Sequence, residues 1–130
     1  MSGELADKKI LLVDDDADIL TAMQAVLADT GATVETASDG DTAVDRITTG
    51  MPDLVILDMM LPRRSGFLVI ERLQSLSLDK TPRIIMITGN QGTRHRVYAE
   101  TLGVDMYLNK PFRMERLLEG VRRLLGAATA

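Results

Sequence analysis

Three consecutive acids, Asp14, Asp15 and Asp16, close an apolar run at residues 10–13. Further along, the run at 54–57 ends in Asp58, the run at 84–87 ends in Thr88, and a stretch ending at Leu108 is followed by Asn109 and Lys110. Hard oxygen donors at this density suit Mg²⁺, which binds through one or two carboxylates and keeps several waters. Two carboxylates about 4 Å apart repel by roughly 4 kcal/mol at an effective dielectric near 20. A divalent cation and Lys110 would relieve that strain, and loss of either would raise carboxylate pKa values. A carboxylate can act as a nucleophile, and phosphoryl transfer asks mainly for positioning and for neutralisation of the equatorial oxygens. Mg²⁺, Lys110 and the Thr88 hydroxyl are suited to that work. Each residue also has an ordinary reading. Asp14–Asp16 can be loop and N-cap acids, Asp58 a turn acid, Thr88 before Gly89 turn chemistry, and Lys110 before Pro111 a solvated lysine. Against these stands a coincidence: four separate strand ends each carry a residue type that one reaction needs.

Bringing four strand ends together requires a parallel sheet. Five apolar runs alternate with five helix-like stretches, the pattern of an α/β fold. Runs 10–13, 54–57 and 84–87 are almost continuously apolar, as in strands covered on both faces. Runs 33–36 and 104–108 alternate, which places them at the sheet edges. In an open parallel sheet, ligands bind outside the carboxyl ends of the strands.

Between the runs, Asp16 is positioned to cap a helix with the stripe Ile19, Leu20, Met23, Val26 and Leu27, closed by Gly31. A shorter stripe of Ala43, Val44 and Ile47 marks the second helix. Ser65 is placed to cap the third helix and Thr93 the fourth, which Gly103 ends. The fourth helix is the most weakly anchored, with Val97, Tyr98, Ala99 and Leu102 to hold it. The last helix carries Met114, Leu117, Leu118, Val121, Leu124 and Leu125 at helical spacing, with Gly120 inside it at a cost of about 1 kcal/mol relative to Ala. Residues 126–130 read as a frayed tail.

The composition is that of a soluble globular chain: 130 residues, 45% hydrophobic and 26% charged. Aromatics are only 3%, so the core must be aliphatic. A net charge of −4 with interspersed signs argues against a surface built for nucleic acid. Without cysteine there is no disulfide, zinc-thiolate or thiol chemistry. The first residues lack the apolar region of a signal peptide and no run reaches membrane-spanning length, so a cytoplasmic location is expected.

Four motifs, LLVDDD at 11–16, LVILDMMLPRRSG at 54–66, IIMITG at 84–89 and YLNKPF at 107–112, resemble the receiver domain of bacterial two-component systems. Order and spacing agree from Lys9 to about Leu125. The resemblance implies one receiver domain over residues 1–130 with its core at about 9–125. It also implies a doubly wound, flavodoxin-like five-stranded sheet of order 2-1-3-4-5 with helices on both faces. Asp58 would be the phosphoacceptor, taking a phosphoryl group from a histidine kinase or histidine phosphotransfer protein. Asp14, Asp15, Asp58 and the Met60 backbone carbonyl would hold Mg²⁺, with Mn²⁺ a possible substitute; Asp15 would bind directly and Asp14 through water. Thr88 and Lys110 would stabilise the phosphoryl group, Tyr107 would be the aromatic switch, and Lys110–Pro111 would be cis. A downstream effector or a second copy would bind the face of the fourth helix, fifth strand and last helix, with no direct nucleic-acid or membrane partner. Such a module phosphorylates and dephosphorylates itself and turns over no substrate.

Departures from the usual pattern are Gly89 in place of Ala or Ser, Ser65 in place of Asp, and the basic pair Arg63–Arg64 near the acids. Met60 and Asn90, two residues beyond Asp58 and Thr88, are placed to flank the phosphoryl group and set its hydrolysis rate. His95 reads as a surface residue. The rival readings are a haloacid-dehalogenase-like phosphatase, whose first motif Asp14-x-Asp16 superficially fits, and a scaffold that binds partners without phosphorylation.

Overall fold

The computed structural model describes residues 3–89 and 93–126, excepting the side chains of Thr93 and Arg94. The elements alternate strictly: β1 (Lys9–Val13), α1 (Ala17–Ala28), β2 (Thr33–Ala37), α2 (Gly40–Gly50), β3 (Leu54–Asp58), α3 (Gly66–Ser75), β4 (Arg83–Thr88), α4 (Thr93–Thr101), β5 (Met106–Asn109) and α5 (Met114–Val121), with a π-helical turn at Arg122–Gly126. The five strands form one parallel sheet of order β2-β1-β3-β4-β5.

Continuous apolar runs in β1, β3 and β4 follow from a two-faced core. Ile10, Leu12, Leu54, Ile56, Ile85 and Ile87 point to the face covered by Met23 and Leu27 of α1 and Leu117 and Val121 of α5. Their neighbours Leu11, Val13, Val55, Leu57, Ile84 and Met86 point the other way, against Ala43 and Ile47 of α2 and Val69, Ile70 and Leu73 of α3. Burying a large aliphatic side chain contributes about 1.5–3 kcal/mol, so the paired faces carry most of the driving force.

Helix starts follow the sequence signals. Asp16 Oδ1 accepts from the N–H groups of Asp18 and Ile19, and Ser65 Oγ accepts from Leu68 N–H. Asp39 caps α2 by accepting from Thr42 N–H at 2.8 Å. Thr93 differs from expectation: it is the first helical residue of α4, and its side chain lies outside the described residues. Among the described side chains of α4, only that of Ala99 is fully buried, in keeping with weak anchoring.

Four boundaries differ from the sequence reading. Helix α1 ends at Ala28, three residues before Gly31, because the Thr30 hydroxyl donates to the Leu27 carbonyl at 2.6 Å; Gly31 then turns the chain at φ +85°. Strand β5 begins at Met106, not 104, since the Asp105 carboxylate captures the Ile84 N–H at 2.8 Å. Helix α5 widens into a π turn at Arg122, and Leu124 and Leu125 still pack on the core from it. The packed core also begins before Lys9. Leu5 is fully buried, its N–H donates to Thr30 O at 2.8 Å, and Glu4 pairs with Arg122 at 2.6 Å.

Gly120 acquires a reason as well. A Cβ there would lie 2.3 Å from the Met106 sulfur, so any larger residue would have to push the end of the Met106 side chain aside.

Beneath the sheet, Asp53 clamps three segments. Its carboxylate accepts from Lys9 N–H at 2.8 Å and pairs with Lys80 Nζ at 2.5 Å. Burial pushes its pKa up, but Lys80 and the Lys9 N–H outweigh burial and hold it below the usual aspartate value. The stability this contributes is present above the unfolded pKa of about 4 and is lost as pH falls through the lower folded value. Asp53→Asn is therefore expected to cost about 1 kcal/mol at neutral pH and less in acid, as read by urea melts at both pH values. Equal losses at both would refute the ionic clamp.

No helix among the described residues is long and apolar enough to cross a membrane.

Candidate functional site

The sheet delivers its chemistry at one edge because the parallel ladder runs one rung past each strand. Asp14 N–H donates to Ala37 O, Met59 N–H to Ile87 O, and Lys110 N–H to Thr88 O at 2.7 Å. The Lys110–Pro111 peptide is cis, as the resemblance implies.

Asp14 and Asp58 are buried, at 0% and 3% exposure, while Asp15 is exposed. One carboxylate oxygen from each of Asp14, Asp15 and Asp58 lies within 4.8 Å of the others. Asp14 Oδ1 accepts from Asp16 N–H at 2.9 Å, and Asp58 Oδ1 accepts from Met60 N–H at 3.2 Å. Lys110 Nζ lies between the two buried acids, 3.1 Å from Asp14 Oδ2 and 3.3 Å from Asp58 Oδ2. Thr88 is fully buried at the end of β4. Asp16 belongs to the α1 cap, which confirms the ordinary reading for that one acid.

The charge balance is uneven. Burial pushes the Asp58 pKa up to about 6, the neighbouring Asp14 charge adds to the rise, and Lys110 with the Met60 N–H opposes it. Burial would lower the Lys110 pKa, but Asp58 and Asp14 more than offset that and hold it above the usual lysine value. Asp14 Oδ2 is sealed from solvent and makes only the ion pair, with no aligned hydrogen bond. Three clustered carboxylates, one of them with a buried oxygen that lacks an aligned hydrogen bond, are a donor set that can hold a hard divalent cation.

Tyr107 packs against the core face shared by Leu57 and Met86. Its hydroxyl is buried without a hydrogen bond, and Arg96 lies 5.6 Å from its ring centroid. Met60 sits on the rim at 66% exposure, and Asn90 lies outside the described residues. Arg64 pairs with Asp41 at 3.0 Å and Arg63 is exposed. His95 stacks on Phe67, centroids 6.1 Å apart, so it is a packing residue remote from the acids in role.

Gly66 is a positioning residue that the sequence reading missed. A Cβ there would lie 2.6 Å from the Asp58 carbonyl oxygen and 2.9 Å from Met59 Cα, so only glycine lets α3 start this close to the site. A glycine directly after the capping Ser65 was the available signal.

The sequence model of the response regulator receiver domain matches residues 10–122. The chain belongs to this family. This receiver domain is 44% identical over 114 residues to the transcriptional regulatory protein DltR of Streptococcus agalactiae serotype III, covering 88% of the chain and 50% of DltR. It is 40% identical over 121 residues to the response regulator MprA of Mycolicibacterium vanbaalenii, covering 93% of the chain and 52% of MprA. The receiver domain thus spans about half the length of these relatives. Among solved structures, a CheY-like receiver domain protein from Methanospirillum hungatei superposes with a TM-score of 0.83 at 30% identity, covering 91% of this chain and 93% of that one. The chemotaxis protein CheY4 of Vibrio cholerae gives 0.82 at 31% identity, with 91% and 98% covered. The phosphatase and scaffold readings find no support in these likenesses.

Proposed function

We propose that Asp58 of this receiver domain accepts a phosphoryl group from a phosphohistidine on a kinase or phosphotransfer protein, in the cytoplasm and with Mg²⁺ bound. The observation that carries this reading is a buried carboxylate sharing one lysine with a second buried carboxylate at the carboxyl ends of the central strands. A carboxylate oxygen of Asp58 attacks phosphorus while the bond from phosphorus to the donor imidazole breaks. The imidazole nitrogen keeps the electron pair and takes up a proton. Asp14, Asp15, Asp58 and the Met60 carbonyl would hold Mg²⁺, with Mn²⁺ a possible substitute, and the ion supplies charge neutralisation for the phosphoryl oxygens. Lys110 then pairs with a phosphoryl oxygen in place of the Asp58 carboxylate, and the Thr88 hydroxyl donates to another. The product is an acyl phosphate on the protein itself, which turns over no separate substrate.

The readout follows from α4. Phosphorylation draws Thr88 toward the new oxygens, vacates room beside Tyr107 and biases α4, the most weakly buried helix. An effector or a second copy then reads the face of α4, β5 and α5. Hydrogen exchange in residues 95–102 is expected to change when beryllofluoride and Mg²⁺ are added. Unchanged exchange there would sink this route.

Signal lifetime depends on the rim. Hydrolysis needs water in line with the bond from phosphorus to Asp58, and the apolar Met60 side chain disfavours ordered water beside it. Met60→Asn is expected to speed loss of the acyl phosphate several-fold, on the order of 1 kcal/mol in the barrier. Equal rates in variant and wild type would reject the shielding role. Asn90, the second residue proposed to tune this rate, cannot act as a base.

A further inference from the structure

One strained residue on the rim takes no part in the proposed transfer. Among the described residues, two that are not glycine have positive φ: Met51 at +47° and Arg63 at +68°. Met51 is the C-cap of α2, where its N–H donates to the Ile47 carbonyl and a left-handed residue is ordinary. Arg63 lies in the loop between β3 and α3, and the Arg64 N–H donates across it to the Pro62 carbonyl at 2.7 Å. A hydrogen bond that spans a single residue of positive φ is the rare, strained form of γ-turn, a geometry that favours glycine.

The surroundings hold this turn in place. Gly40 N–H donates to the same Pro62 carbonyl at 3.2 Å. A Cβ on Gly40 would lie 2.0 Å from the Arg64 carbonyl oxygen, so the start of α2 abuts the loop. Gly66 N–H closes the loop on Met59 O at 2.8 Å, and Arg64 is paired with Asp41. Arg63 itself is exposed, and its side chain makes no hydrogen bond or ion pair among the described residues. Asp39, the acid that feels its charge, already accepts from the Thr42 N–H at 2.8 Å and the Thr42 hydroxyl at 3.0 Å.

Backbone strain kept at an exposed position points to a use for the side chain. Arg63 is three positions before Gly66, which abuts the Asp58 carbonyl, so at most about 11 Å of chain separates it from that contact. The group arriving at Asp58 is anionic. Three clustered acids repel it, and Lys110 is already shared between two of them. We infer that Arg63 is a binding residue for the phosphodonor, its guanidinium meeting the phosphoryl oxygens at the rim and holding them before transfer to Asp58. The inference rests on the phosphoacceptor reading and adds the residue that recognises the donor's anionic group. A guanidinium suits the task, since its planar fork matches phosphoryl oxygens with two parallel hydrogen bonds.

The test follows labelling of the full chain by acetyl phosphate and by phosphoimidazole, with Mg²⁺, at donor concentrations low enough for second-order rates. Arg63→Gly should label at least about threefold more slowly than wild type at low ionic strength, and the gap should close at about 0.5 M salt. Arg63→Lys, which keeps the charge, should recover much of the rate. Thermal melts add a readout apart from labelling. Arg63→Gly should melt above wild type, because glycine takes the turn without strain, while Arg63→Lys should melt together with wild type. A protein made more stable and slower to label by one substitution is the expected result. Equal labelling of wild type and Arg63→Gly at low salt would overturn the inference, as would a deficit that survives high salt or that Arg63→Lys shares in full. A deficit confined to one donor would show that the leaving group is read instead, and a lower melting temperature for Arg63→Gly would remove the strain; either also overturns it. No labelling of wild type by either donor would strike the phosphoacceptor reading itself, and this inference with it.

Discussion

Acetyl phosphate with Mg²⁺ is expected to add one phosphoryl group to the wild-type chain and none to Asp58→Asn. The amide keeps the size and shape of Asp58 but has no anionic oxygen to form the bond to phosphorus. It also withdraws one of the three clustered carboxylates, so both the nucleophile and part of the cation site go at once. Lys110→Met should behave differently. Asp58 remains a nucleophile there, but the ammonium 3.3 Å away that would neutralise developing charge is gone. Labelling should persist at a rate lower by roughly 10²-fold, the scale seen when one preorganised stabilising group is removed. Intact mass resolves all three proteins. Labelling of Asp58→Asn as complete as that of wild type would show that the acceptor lies elsewhere.

The same substitution should stabilise the protein when metal is removed. An aspartate raised from its ordinary value to about 6 binds its proton more tightly folded than unfolded. Folding stability linked to Asp58 is therefore present at low pH and falls as pH rises from about 4 through 6. Above that window the ionised carboxylate destabilises the metal-free fold by an amount on the order of 2–3 kcal/mol. Asp58→Asn removes this penalty. In chelator at pH above 7 its melting temperature should exceed that of wild type by several degrees, and the gap should shrink near pH 4. Adding Mg²⁺ should reverse the order by raising wild type more than the variant, since about 2.7 kcal/mol accrues at a hundredfold excess over the dissociation constant. A variant less stable than wild type in chelator at neutral pH would refute the repulsion. Asp53 works with the opposite sign, so the two groups tilt the acid limb in opposing directions.

Much of this fold could be read before any coordinates, for a local reason. Ile10 through Val13 or Leu54 through Leu57 announce a doubly covered strand by their own sequence. The residue after each run is then delivered to the sheet edge by strand polarity alone, so Asp14, Asp58, Thr88 and Lys110 were legible together. Features that depend on distant partners left no such trace. Nothing near Leu5 indicates that it is fully buried, since the Leu5 N–H finds its acceptor at the distant Thr30 carbonyl and the neighbouring Glu4 finds Arg122, 118 positions away. The hydrogen bond from the Tyr98 hydroxyl to Glu71 joins α4 to α3; the sequence marks Tyr98 as an anchor of its helix, but nothing local names Glu71 as its partner. The start of β5 was misplaced because Asp105, which reads as the polar half of an alternation, spends its carboxylate on a neighbouring strand.

The division of Lys110 between Asp14 and Asp58 also bears on the order of synthesis. A chain emerging from a ribosome makes its acids at 14, 15 and 58 well before the cation at 110. An intermediate holding β1, β3 and β4 would already have the central strands side by side, with the buried carboxylates facing one another and no ammonium between them. Docking of the last strand supplies that charge and its final edge in one event. Unless a divalent cation already sits between those acids, the nascent domain is expected to remain open until residue 110 has left the exit tunnel, and a chain arrested earlier is one that quality-control proteases should find unfolded.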